Sequence, residues 1–277
     1  MNRDLFRKIG TFTLLSATIA GCSGSGNTTT VSTTDSQGTL IVVANGEDFV
    51  RQGFVTKDDW QINFERVAVN VGDITAYQTE SAFNPDENTE IESTEKVTIL
   101  DEVKTVDLAE GTENAEPLAV AQINVPTGFY NALGWSMIPL DDSGLSNQTI
   151  VLQGQAVKDG ETVDFTLGFA VPVQYLCGEF IGDERKGFVK QNEVAEVEMT
   201  FHFDHIFGDS ETPSDDPLNR DALGFQPLAD LAQTGILEAD WQTLQQQLAP
   251  ENAQTLSNAI AGLGHVGEGH CKVKNEV

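Results

Sequence analysis

The sequence predicts a mainly β fold: an antiparallel β-sandwich with a C-terminal helical appendage. Three observations carry that expectation. Short apolar runs rich in Val, Ile, Phe and Thr recur from Gly38 to Asp209, separated by Gly, Pro, Asn and Asp turn signals. Several of these runs alternate with a period of two, as strands with one buried face do. After Asp209 the texture changes to stretches with helical spacing and helical end signals. The formal net charge is −28, yet 39% of residues are apolar, enough for a real core and too many for a disordered acidic tail.

In chain order, "GTLIVVAN" is a first strand, closed by Asn45-Gly46. Trp60 to Gln78 is a long strand. Trp60, Ile62 and Phe64 point one way, and Val67, Val69 and Val71 follow after a one-residue change of phase near Glu65-Arg66, which predicts a bulge. Residues 79–95 are polar and acidic, hence a loop. "KVTILDEVKTVDLAEG" is strand material with a turn at Gly111, and Pro126-Thr127-Gly128 is a turn between two further apolar runs. Lys158-Asp159-Gly160 sits between two β-rich runs and predicts a hairpin. "VAEVEMTFHFDHIFGD" is one more strand, with Val197, Met199, Phe201 and Phe203 on the core face and Glu196, Glu198, His202 and Asp204 opposite.

Beyond a loop, three helices are expected within Ala222–Gly235, Glu238–Pro250 and Glu251–Gly264. In the last, Pro250 suits the first turn, Leu256, Ile260 and Leu263 share a face, and Gly264 caps the end. The expected organisation is a sandwich domain over 38–209 and a helical appendage over 210–277, whose His/Cys tail packs on the sandwich. A separate domain is not expected there, because about seventy residues with so few large apolar side chains would fold poorly alone.

The N-terminus has its own logic. Arg3, Arg7 and Lys8 precede the uncharged stretch Ile9–Ala20, too short to span a bilayer but suited to the middle of a secretory signal. It ends in Ile19-Ala20-Gly21-Cys22, which resembles the lipobox of bacterial lipoproteins. That resemblance implies a signal peptide over 1–21, cut before Cys22, whose sulfur takes a diacylglycerol and whose new amine takes a fatty acyl chain such as palmitate. Ser23 resembles the outer-membrane sorting pattern of Gram-negative lipoproteins. The expectation is therefore an outer-membrane, lipid-anchored protein, with residues 22–37 as a flexible Gly/Ser/Thr tether. With Cys22 taken by lipid, Cys177 and Cys271 remain. In an oxidising compartment they are expected to pair, the rival reading being Cys271 as a thiolate ligand. The acidic balance disfavours nucleic acid and anionic surfaces and attracts cations.

The functional candidates are the four histidines, gathered in "FHFDHIF" and "GHVGEGHC". On a strand, His202 and Asp204 would lie about 7 Å apart on one face and converge on an ion, with His205 following as the strand ends. In the tail, Gly264, Gly267 and Gly269 space His265, Glu268, His270 and Cys271, and glycines let a backbone fold tightly enough for neighbours to share a centre. Neutral imidazole with carboxylate, or thiolate, suits zinc, copper or iron(II) rather than magnesium or calcium. The expected metal set is His202, Asp204, His205, His265 and His270, with zinc or copper leading, in a carrier, scavenger or sensor. The alternative is a non-catalytic structural or protein-interaction lipoprotein, its protein partner unnamed by the sequence, whose histidines are polar patches.

Two further resemblances bear on function. His202 with Phe203-Asp204-His205 resembles the second half of the metallo-β-lactamase metal motif, but Thr200 stands where that motif has its leading histidine. No G-x-S-x-G elbow supports a serine hydrolase either, so no enzyme is expected. Val125-Pro126-Thr127-Gly128-Phe129-Tyr130, after a "DL…G" turn, is similar to β-sandwich periplasmic lipoproteins, including the copper-binding proteins found near methanobactin operons. The resemblance implies a sandwich and extends to copper, although this chain lacks that family's several cysteines.

Overall fold

The first strand, β1 (Gln37–Asn45), buries Leu40, Val42 and Ala44 completely, as its alternation requires. The computed structural model describes residues 36–142 and 145–275. The expected signal peptide, Cys22 and all of the tether before Ser36 lie outside the described residues. A short helix, α1 (Glu47–Gln52), and β2 (Phe54–Val55) lead into the longest strand, β3 (Gln61–Gln78). Then come β4 (Glu95–Leu100), β5 (Lys104–Asp107), β6 (Leu118–Pro126), β7 (Gly128–Phe129) and β8 (Ala132–Met137). They are followed by β9 (Leu140–Asp142), β10 (Leu145–Gln148), β11 (Ile150–Lys158), β12 (Glu161–Phe169), β13 (Val173–Cys177), β14 (Phe188–Val189) and β15 (Val194–Phe201).

Two local expectations are met closely. Along β3 and β11, Arg66 faces Gln153 and Phe64 faces Gly154, so Glu65 is the extra residue of a bulge. β11 and β12 pair down to Lys158 and Glu161, leaving Asp159-Gly160 as a two-residue turn with φ of 51° and 86°. Positive φ at both positions is what a right-twisted hairpin needs.

β3 is also where the sheet changes direction. Its first half pairs with β11 and its second half with β8. The handover falls at Asn70, whose backbone N–H donates to Thr149 O while its carbonyl accepts from Ile138 N. Its buried side chain is satisfied on both sides, donating to Gln148 O at 2.6 Å and accepting from Thr105 Oγ1 at 2.6 Å.

The fold is mainly β, 46% strand against 16% helix, but not the plain antiparallel sandwich expected. One large mixed sheet runs β16-β12-β11-β3-β8-β13-β18-β17-β15-β1-β6, where β16 (Ile236–Ala239), β17 (Gly264–Val266) and β18 (Gly269–Asn275) come from the last quarter of the chain. β1 pairs with β15, and β12 with β16, in parallel. Long connections permit parallel pairing, which a hairpin does not. The sheet curls: Lys104 Nζ on β5, in mid-sheet, donates to Val120 O on the end strand β6 at 2.5 Å. Inside lies the main core, with Trp60, Trp135, Tyr175, Phe201, Phe203, Phe207 and Phe225 fully or almost fully buried, and Phe83, Ala132 and Leu176 form a small separate cluster. Each large apolar side chain so buried contributes about 1.5–3 kcal/mol.

The stretch 210–277, expected as a helical appendage, holds helices and those three sheet strands. The helices here are α2 (Asp204–Phe207), just before that stretch, and α3 (Pro217–Asp221), α4 (Gln226–Ala229), α5 (Trp241–Gln247) and α6 (Pro250–Ala261). α6 begins at Pro250 and buries Leu256 and Ile260 as expected. Gly264, expected as its cap, instead opens β17, and Gly262 takes the C-cap. β15 is shorter than expected: it ends at Phe201, and Asp204 and His205 stand on α2.

Candidate metal centre

Parallel pairing of β1 and β15 brings both C-terminal ends to one edge, with Asn45 opposite Thr200. The β17–β18 hairpin pairs onto the same place, Thr200 facing His265 and Phe201 facing Gly264. Within the hairpin His265 faces His270. Two glycines make this docking possible. A Cβ on Gly264 would lie 2.7 Å from the Tyr175 ring, and one on Gly267, at φ +59°, would lie 2.0 Å from Ile181 O. The Cys177–Cys271 disulfide then ties β18 to β13 at directly paired positions. The thiolate alternative for Cys271 is thereby closed.

These contacts converge the two histidine clusters. The His265 ring centroid lies 4.3 Å from that of His202, 5.0 Å from His205 and 4.7 Å from His270, and His202 is 5.5 Å from His205. His202, Asp204 and His265 are buried, His205 is half-buried and His270 is exposed. Among the described residues, His202, Asp204 and His205 offer donor atoms within 4.8 Å of one another. His202 Nε2 sits 3.1 Å from Gly267 O, so that nitrogen carries the proton and donates. Nδ1 faces the carboxylates, 4.0 Å from Asp204 Oδ1 and 3.4 Å from Glu47 Oε2. A ring nitrogen held by a backbone carbonyl while the other faces the site is how proteins orient an imidazole ligand.

The polar face of β15 is covered toward the C-terminal end of the strand. Glu198 is buried and accepts from Lys186 Nζ and from Asn45 Nδ2 at 3.0 Å. Two atoms of the cluster have no such partner. Asp204 Oδ1 and His265 Nδ1 are buried without a hydrogen bond. Burial lowers the His265 pKa to about 3, helped by His202, His205 and His270. Burial also lowers His205, against the pull of Asp204. Both rings are therefore neutral at pH 7 with lone pairs available. Burial raises the carboxyls of Asp204 and Glu47, against the neighbouring His202. An ionised carboxylate there lacks the compensation it would have in water.

Sequence reasoning missed Glu47. It lies 155 residues before His202 and carries no motif, and only the parallel β1–β15 pairing brings it in. Its one local signal is "NGE": Asn45 Oδ1 accepts from Glu47 N at 2.9 Å, and Glu47 is held at φ +59°, a strained conformation for a residue with a side chain. Glu268, at the hairpin tip, is exposed. The expected set His202, Asp204, His205, His265 and His270 is thus brought to one place, while Cys22 lies outside the described residues. No protein-family model, curated protein or solved structure matches the chain.

Proposed function

We propose that this chain is a lipid-anchored, extracytoplasmic lipoprotein of the outer membrane whose histidine–carboxylate centre binds a transition metal ion, as a carrier, scavenger or sensor and not as an enzyme. The observation that carries the reading is the pair of orphaned atoms, Asp204 Oδ1 and His265 Nδ1, buried within one cluster. Each buried polar atom left unpaired costs about 1–3 kcal/mol, and such atoms call for a bound partner. An ion held by His202 Nδ1, Asp204 and His205, with His265 as the next donor, supplies it. Glu47 stands beside His202 to balance the charge, and His270 closes the outer side. Imidazole and carboxylate without a thiolate favour zinc or copper(II) over copper(I).

The test uses the mature chain, with Cys22→Ser for solubility, stripped with EDTA and titrated with zinc and with copper(II). At 100 times the dissociation constant, bound metal stabilises by about 2.7 kcal/mol. For a body of about 240 residues, with an unfolding entropy near 0.5 kcal/mol/K, that is a rise of about 5 °C in Tm. His202→Ala and His265→Ala should each remove most of this shift, and the double variant little more, since both act through one ion. If neither metal moves the wild-type melting curve, the cluster is polar packing and the interaction-lipoprotein reading replaces this one. The anchor has its own test: Cys22→Ser in cells should move the protein from the membrane fraction to the soluble fraction, and unchanged partitioning would refute lipidation.

A further inference from the structure

We propose that the cleft beside the metal centre is a second site, which takes a small, neutral, largely apolar organic molecule and presents its donor atom to the metal. The inference rests on the metal reading above. The cleft measures about 390 Å³, within the range of sites that hold small organic ligands. Its walls are mostly apolar, with Leu218 on one side and Ala259 and Gly262 on the other, and His205 and His270 also line it. His205 thus belongs both to the donor set and to the cleft. A molecule seated in the cleft reaches the ion from the side where that imidazole stands.

The apolar lining sets the ligand class. A hydrated ion gains nothing from Leu and Ala walls, whereas an organic body loses its apolar hydration there. The charge of −28 on the chain, with Asp221 at the rim, disfavours an anion. A neutral nitrogen or sulfur donor on an apolar frame fits both constraints. The wall is also held independently of the metal. Lys57 Nζ, from the segment before β3, donates to Asn219 O at 2.8 Å and to Ala222 O, pinning α3. The Asn219 side chain donates to Asp209 O and Thr212 O, and accepts from Asp209 N.

The experiment loads the mature Cys22→Ser chain with copper(II) and titrates imidazole and 4-phenylimidazole, following the visible band of the metal. The phenyl analogue should bind at least tenfold more tightly than imidazole. Asn258→Trp, at an exposed position over the cleft, and Leu218→Trp, at a half-buried wall position, should each take up copper as the wild type does but bring the two probes to within about threefold of each other, roughly 0.6 kcal/mol. Equal affinities of the two probes for the wild type would overturn the proposal, as would an undiminished preference in both variants. A wild type that takes up no copper overturns the metal reading itself, and this site with it.

Discussion

Replacing Cys177 by Ala and Cys271 by Ser cuts the one covalent tie between β13 and β18. The two residues are 94 apart in sequence. A cross-link restricts the unfolded chain more than the folded one, and for a closed loop of that length the chain-entropy relation gives about 4.7 kcal/mol. The folded state loses little else. Cys177 is fully buried and Ala leaves a space of one sulfur atom, while β18 keeps its backbone pairing to β13 on one side and β17 on the other. With an unfolding entropy of about 0.5 kcal/mol/K for about 240 residues, Tm should fall by about 9 °C. Urea unfolding supplies a second readout. If the stabilisation acts through the denatured chain, the variant unfolds to a more expanded ensemble and its m-value rises. A loss below about 1 kcal/mol with an unchanged m-value would refute the reasoning. It would mean that strand pairing alone restrains the tail and that the unfolded chain gains no freedom.

Two further outcomes concern the metal-free centre. Because burial holds His265 at about 3 in the folded state against an ordinary 6.5, the unfolded chain takes up a proton that the folded chain does not. Stability from this group is whole above pH 6.5 and falls by about 1.4 kcal/mol per unit below it, until about pH 3. Asp204 and Glu47, whose carboxyls are raised, act in the opposite sense: the folded chain takes up their protons first as the pH falls, which softens the loss. Urea melts from pH 7.5 to 5 should show a decline that His265→Phe reduces, and equal slopes for the two proteins would refute the assignment. Asp204→Asn should split stability from function. Removing a buried carboxylate charge whose Oδ1 has no hydrogen bond should raise the Tm of the metal-free protein by about 2 °C, for about 1 kcal/mol, while abolishing the metal-dependent shift. A lower Tm together with intact metal binding would sink the role given to Asp204.

What the sequence determined by itself is whatever depends on near neighbours. The bulge at Glu65 is a break in a period of two. The turn at Asp159-Gly160 needs positive φ, which Gly supplies freely and Asp tolerates. The start of α6 at Pro250 follows from a missing N–H that a first turn does not use. The pairing of Cys177 with Cys271 followed from counting thiols in an oxidising compartment, and the core face of β15 from its alternation.

Tertiary structure decided which strands meet and what lies over them. The alternation that marks β1 and β15 as strands is the same for parallel and antiparallel partners, so it carries no sign of the pairing that sets Asn45 beside Thr200. Glu47 enters the centre only through that pairing. The face of β15 that bears Glu198, continued by His202, reads only as polar, because a lone strand cannot show that a hairpin from the far end of the chain will cover it. Asp204 and His205 stand on a short helix that buries Asp204, Ile206 and Phe207 together, a turn that the strand-like spacing of the sequence does not announce. Ile236–Ala239 is too short for its alternation to stand out, and becomes a strand because the edge of β12 offers it hydrogen bonds. Local signals are read from a few adjacent dihedrals and side chains. The convergence of four histidines and two carboxylates depends on contacts across most of the chain, whose free energy is realised only when the whole sheet closes.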